Sequence, residues 1–194
     1  YNVFLGYEAG RSSTTSFNTF IGYRSGRSNI GGQYNSFFGY DAGYSNLSGT
    51  SNIFIGNQAG RLNTTGGWNT FLGFEAGYSN NASYNSFIGY RAGRSNTSGT
   101  YNTFIGYDAG TSNTIGNSNV FIGNGTGQNN TSGSSNLFMG NVAGYSNTEG
   151  VQNIFLGQFS GYKNTLGSQN VFLGPNSGNE NLTGNGNVFI GWAA

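Results

Sequence analysis

The motif N-x-F-[ILFM]-G returns at a near-constant interval along the whole chain. Its asparagine stands at positions 2, 18, 35, 52, 69, 85, 102, 119, 136, 153, 170 and 187, a step of 17 residues broken only by two steps of 16. A fixed period of this kind means identical supersecondary units that bury their apolar faces only by stacking on one another. Seventeen residues are too few for a helical hairpin, a propeller blade or a leucine-rich repeat, and the glycines lack the every-third spacing of collagen. The period therefore predicts an all-β parallel β-solenoid, a β-roll or β-helix, with one coil every 17 residues and about 4.8 Å between coils. About 11.5 coils make residues 1–194 a single array roughly 55 Å long. The array has no atypical polar cap at either end, which reads as a window of a longer repetitive protein.

The full repeat is N-x-F-I/L-G-x-x-A-G-x-S-N-x-x-G-x-x. Five residues of strand composition precede a series of glycines that supply turns. The short coils "RSSTTSFN" and "YSNNASYN" each lack one residue and the Gly of N-x-x-G, so a turn is trimmed while the strand keeps its register. Asn69 falls 67 residues after Asn2, and "WNTFLGFEAGYSN" from Trp68 echoes "YNVFLGYEAGRSS" from Tyr1, so the first four coils are repeated by the next four. This larger echo fades after Ser135.

Composition bounds the function. The chain has 36 glycines, one proline and 7% charged residues, yet 16% aromatics give it a core. Net charge +1 offers no basic patch for nucleic acid. There is no run of 18 apolar residues for membrane insertion, and Tyr1 starts no signal peptide, so any export signal lies outside the chain. With no His, no Cys and six acids, neither acid/base catalysis, nor a Cys nucleophile, nor a metal site is expected; the reading is of a protein that is no enzyme and needs no cofactor.

Successive strand residues point to opposite faces. One row is Phe4, Phe20, Phe37, Phe54, Phe71, Phe87, Phe104, Phe121, Phe138, Phe155, Phe172 and Phe189. The opposite row is Leu5, Ile21, Phe38, Ile55, Leu72, Ile88, Ile105, Ile122, Met139, Leu156, Leu173 and Ile190. The pattern leaves open which row lines the coil, but either choice exposes a continuous apolar stripe longer than a soluble monomer tolerates. The stripe predicts lateral association of identical chains, most simply about an axis parallel to the rod, to make a multi-chain fibre.

Repeat positions in register become ladders. The motif Asn forms one and Asn29, Asn46, Asn63, Asn80, Asn96, Asn113, Asn130, Asn147, Asn164 and Asn181 a second, with amides bonding along the axis and to turn backbone. The N-x-S/T triplets at Asn63 and Asn96 are by-products of this repeat. Glu8, Arg24, Asp41, Gln58, Glu75, Arg91 and Asp108 alternate in sign and predict exposed cross-coil ion pairs. Two aromatic rows, Tyr7, Tyr23, Tyr40, Phe74, Tyr90, Tyr107 with Trp192, and Tyr1, Phe17, Tyr34, Trp68, Tyr84, Tyr101, face outward or toward a neighbouring chain. Tyr7, Tyr23, Tyr40, Tyr90 and Tyr107 with Arg11, Arg27 and Arg94 are candidates for surface contact with cell-surface glycans or receptors.

The stretch "NTFIGYDAGTSNTIGNSN" resembles the N-T-x-x-G-x-x-A-x-x-x-N-T-T-G repeats of phage and bacterial tail-fibre-like proteins, and more distantly the head repeats of trimeric autotransporter adhesins. The resemblance implies a secreted fibre, often trimeric, that attaches to cells, hosts or surfaces. The invariant Phe departs from those relatives, which commonly carry small residues there. Together these readings predict a structural repeat of a secreted, homo-oligomeric extracellular filament or fibrous adhesin. The alternative is a receptor- or glycan-binding fibre module using its Tyr and Arg ladders.

Overall fold

A computed structural model describing residues 1–194 is a parallel β-solenoid without helix. Its strands are β1 (Val3–Leu5), β2 (Thr19–Ile21), β3 (Ser36–Phe38), β4 (Ile53–Ile55), β5 (Thr70–Leu72), β6 (Ser86–Ile88), β7 (Thr103–Ile105), β8 (Val120–Ile122), β9 (Leu137–Met139), β10 (Ile154–Leu156), β11 (Val171–Leu173) and β12 (Val188–Ile190). They form one 12-stranded parallel sheet in chain order, with Phe paired to Phe at every step. Both 16-residue steps keep this register, Phe4 meeting Phe20 and Phe71 meeting Phe87, so the missing residue is absorbed in a turn.

Each strand is three residues, shorter than the five-residue motif suggests, because the chain turns on both sides of it. Of 134 backbone hydrogen bonds only 22 lie within strands. Many of the rest join one turn to the same turn of the next coil, as Gly43 N–H to Ala59 O and Ser45 N–H to Arg61 O do. The corners therefore stack coil on coil as the sheet does, and the backbone is satisfied without long strands.

The structure decides which apolar row is internal: it is Phe. Phe20 through Phe172 are fully buried, while Phe4 in the first row is 38% exposed. Successive rings stack with centroids 4.7–5.0 Å apart. Burying one such ring contributes about 2–3 kcal/mol. The Ala row packs against this column. The second Gly of each G-x-x-A-G lies over it: a Cβ on Gly110, held at φ +57°, would fall 2.6 Å from the Phe104 ring.

The rest of the interior is amide. Asn46 Nδ2 donates to Asn29 Oδ1 at 2.7 Å and to Gly49 O at 3.0 Å, and Asn35 Nδ2 donates to that same carbonyl at 2.9 Å. Asn52 N–H donates to Asn35 Oδ1 at 3.0 Å, tying the motif ladder to the backbone above. Both Asn ladders thus converge on the carbonyl of N-x-x-G, and the buried amides are paired coil after coil. In the short coil Ala82 O takes over that acceptor role for Asn69 and Asn80. Asn63 and Asn96 belong to this buried ladder, which leaves their amides no access to a glycosylating enzyme.

Candidate functional site: the outer face of the sheet

With Phe inside, the opposite strand residues and the residues flanking each strand form the outer surface of the sheet. Four outward positions define each row: the residue before the motif Asn, the strand's first and third residues, and the residue after the motif Gly. None of these positions carries a charge in any row.

The rows are of two kinds. Rows 2, 3, 5, 6 and 7 have aromatic rims and a Thr or Ser in the first strand position, as in Phe17, Thr19, Ile21, Tyr23 or Trp68, Thr70, Leu72, Phe74. Rows 4 and 8 to 11 have non-aromatic rims, almost all Ser, Asn or Gln, and a branched apolar residue in that position, as in Ser51, Ile53, Ile55, Asn57 or Gln152, Ile154, Leu156, Gln158. A small hydroxyl residue leaves room for bulky neighbours two positions away on the same face; where the rims shrink, Ile, Val or Leu fills the centre. Row 1 combines both, with Val3 between Tyr1 and Tyr7.

Within the aromatic rows the rims are stacked columns. Tyr7, Tyr23 and Tyr40 lie 5.2–5.3 Å apart, as do Phe74, Tyr90 and Tyr107 at 4.9–5.2 Å. The other rim holds Tyr1, Phe17 and Tyr34 at 5.1–5.4 Å, and Trp68, Tyr84 and Tyr101 at 5.0–5.2 Å. The middle ring of each triplet has both faces covered, so it offers the solvent only its edge.

The charged residues sit at the adjoining corner, and they do not pair simply up the ladder. Glu8 bonds Arg27 Nε and Arg11 Nη1, both at 2.6 Å, rather than Arg24. Arg24 grips Asp41 with Nε and Nη2 at 2.9 Å each, and Arg61 Nε reaches the same carboxylate at 3.2 Å. Asp41 is only 1% exposed, so the expectation of an exposed pair is corrected there: two arginines neutralise a buried carboxylate. The hydrogen bond from Arg27 holds the Glu8 carboxyl below the usual glutamate range despite an opposing burial effect, and Arg11 adds to it. Donating to Asp41 and Glu8 raises the Arg24 and Arg27 guanidiniums in turn.

Above the acids runs an alternating column. Arg27 and Arg61 lie 5.6 and 5.2 Å from the Tyr44 ring centroid, and Arg61 and Arg94 lie 5.9 and 5.2 Å from that of Tyr78. Arg94 also bonds Glu75. Three of the surface-contact candidates, Arg11, Arg27 and Arg94, are thus engaged inside the chain. One coil block later the arrangement loosens: Tyr44 and Arg61 are replaced by Thr111 and Gln128, the Thr111 hydroxyl occupies Asp108 Oδ1 at 3.2 Å, and Arg91 Nε is left 3.7 Å away with no hydrogen-bond partner.

Two left-handed positions per coil escape sequence reasoning. The residue before the motif Asn and the residue two after the motif Gly take φ between +49° and +68° in most coils, with Trp68 at +55° and Val142 at +49° among them. Such a conformation costs a non-glycine residue about 1 kcal/mol, and Asn or Gly would have flagged it. The same φ recurs at Ser51, Ser118 and Ser135, where no ring stacks, and the inter-coil backbone bonds, such as Trp68 N–H to Thr50 O at 2.9 Å, hold the position. No three His, Cys, Asp or Glu side chains cluster anywhere. No helix is long and apolar enough to cross a membrane. Comparison with known proteins yields no match to the chain, whether a family model, a curated protein or a solved structure.

Proposed function

We propose that this chain is a structural repeat of a secreted, homo-oligomeric extracellular filament or fibrous adhesin that attaches to cells or surfaces, with no catalytic role. One observation carries the reading. Rows 8 to 11 present paired columns of apolar side chains, Val120 with Ile122, Leu137 with Met139, Ile154 with Leu156 and Val171 with Leu173, all at least partly accessible. They are bordered by Ser118, Ser135, Gln152 and Gln169 on one side and Asn124, Asn141 and Gln158 on the other. An apolar centre within a polar rim is the anatomy of a protein interface, and a strip this long is covered in solution. An axis parallel to the rod lets each coil meet its counterpart, and the resemblance to trimeric fibre repeats favours three copies about it.

A second reading, glycan or receptor contact, draws support from the aromatic rims of rows 1 to 3 and 5 to 7. The two readings use different stretches of one face, so a single fibre can assemble through one and attach through the other. Native mass spectrometry tests assembly. The expected result is a trimer that Leu137→Lys with Ile154→Lys converts to monomers while circular dichroism is unchanged; a wild-type chain that stays monomeric at about 0.1 mM refutes it.

A further inference from the structure

Row 4 interrupts both aromatic columns at the same level. Tyr34 and Trp68 face each other across Ser51 on one rim, and Tyr40 and Phe74 face each other across Asn57 on the other. Each of the four rings is backed by a neighbour at 5.1–5.2 Å, Phe17, Tyr84, Tyr23 and Tyr90 in turn, and turns its other face to the gap. Two coil steps set the opposed walls about 10 Å apart. A ring stacked on an aromatic face lies roughly 4.5–5 Å from its centroid, so the gap admits one further ring between the walls. Ile53, 44% exposed, and Ile55 form the ridge joining the two slots. The Ser51 hydroxyl and the Asn57 amide make no hydrogen bond within the chain, so both are free to bond a guest in the slot.

We propose that this transverse cleft is a binding site for a neutral saccharide, one pyranose ring in each slot; the proposal rests on the attachment part of the function above. A pyranose has two C–H faces and a rim of hydroxyls. The slot offers two aromatic faces, with an unpaired hydroxyl or amide between them. The outward positions are without charge, which matches an uncharged ligand. An aromatic side chain of a second copy fits less well. It would bury Ser51 or Asn57 without a partner. The rim rings of rows 1 to 3 and 5 to 7 also come in stacked triplets, and a triplet cannot enter a gap one ring wide. Row 8 is an internal control. Ser118 and Asn124 repeat Ser51 and Asn57, but only Tyr101 and Tyr107 wall them, because Ser135 and Asn141 replace the second pair of rings.

The test uses the whole chain with Trp192→Leu, which leaves Trp68 as the only tryptophan, titrated with cellohexaose and maltohexaose while its emission is followed. Saturable change with at least one hexaose is expected. Ser51→Tyr, Ile53→Thr and Asn57→Tyr together turn row 4 into an aromatic row of the kind that folds beside it, and weaken binding at least about tenfold. Ser135→Trp with Asn141→Phe supplies the missing walls at row 8 and raises the stoichiometry from one cleft to two. No saturable response to either sugar up to about 10 mM overturns the proposal. So does an emission change that follows protein concentration alone and disappears in the filled variant, which would place a second copy in the cleft. Native mass separates the two readings: the filled variant keeps the wild-type mass if the cleft binds sugar, and a loss of oligomer on filling assigns the cleft to assembly and overturns the saccharide site. A monomeric wild type leaves the saccharide titration valid.

Discussion

Rows 1 to 7 and rows 8 to 12 share one interior and wear different exteriors. The Phe column and the motif Asn ladder run through all of them, and the second Asn ladder from Asn29 to Asn181, with almost no change of spacing. Outside, the first stretch, row 4 apart, carries stacked aromatic rims and holds all six arginines. The second carries mainly polar rims and a branched apolar centre; a Thr97, Thr114, Thr131, Thr148, Thr165 ladder, whose hydroxyls each donate to the next coil's carbonyl at 3.0–3.2 Å, bridges the two stretches from coil 6 to coil 10. Coil geometry is set by what lies inside. The surface is therefore free to vary, provided each row keeps its volume balance between rim and centre.

The most forceful way to break this comparison is to perturb the shared interior in both stretches. Gly77 and Gly127 sit at φ +59° and +57°, each with a would-be Cβ 2.6 Å from a Phe ring. Replacing either by Ala should cost about 3 kcal/mol, from overpacking plus the left-handed backbone. Local stabilities from hydrogen exchange should agree to about 0.5 kcal/mol between the two sites; a clear inequality would mean that the exteriors, too, set coil stability.

A smaller effect tests the volume balance. Leu137→Thr alone should destabilise by about 1 kcal/mol, and adding Ser135→Tyr and Asn141→Tyr should restore most of it, because the triple change completes an aromatic row. A double-mutant cycle with no coupling would reduce the two row types to coincidence. The smallest effect concerns pH. Glu8 is held ionised below its usual range by Arg27 and Arg11, so its contribution is complete above the unfolded value and is lost as pH falls through the lower folded value. Hydrogen-exchange protection in rows 1 to 3 should therefore decline in acid before that of rows 9 to 11, where Lys163 and Glu180 form an exposed pair.

Period, parallel coil, strand register and both Asn ladders are legible in the sequence because each follows from one residue type recurring every 17 positions. The inward row is not, since Phe and Ile are equally apolar; what decides it is the motif Asn on the Phe side, whose amide must reach the carbonyl of the N-x-x-G turn inside the coil. The ion pairs are legible in part: Arg24 meets Asp41 and Arg91 approaches Asp108 up the ladder as the alternation predicts, but Glu8 does not follow it. Sequence spacing places Glu8 beside Arg24, whereas the long arginine side chains cross between corners and select Arg27. The row-4 cleft is written in Ser51 and Asn57, but it appears as a cleft only once the aromatic neighbours are known to stack ring on ring.

The hydrogen bonds between coils all run along the rod, at right angles to the strands. A tensile load between the ends is therefore borne by one coil's bonds at a time rather than shared in shear. Pulled apart, the array should peel in uniform steps, each releasing a 17-residue segment that extends to at most about 60 Å from a rise of about 4.8 Å. An array built this way lengthens more than tenfold before its backbone is taut, dissipating work at every coil, a property that would serve the proposed attachment in a moving fluid.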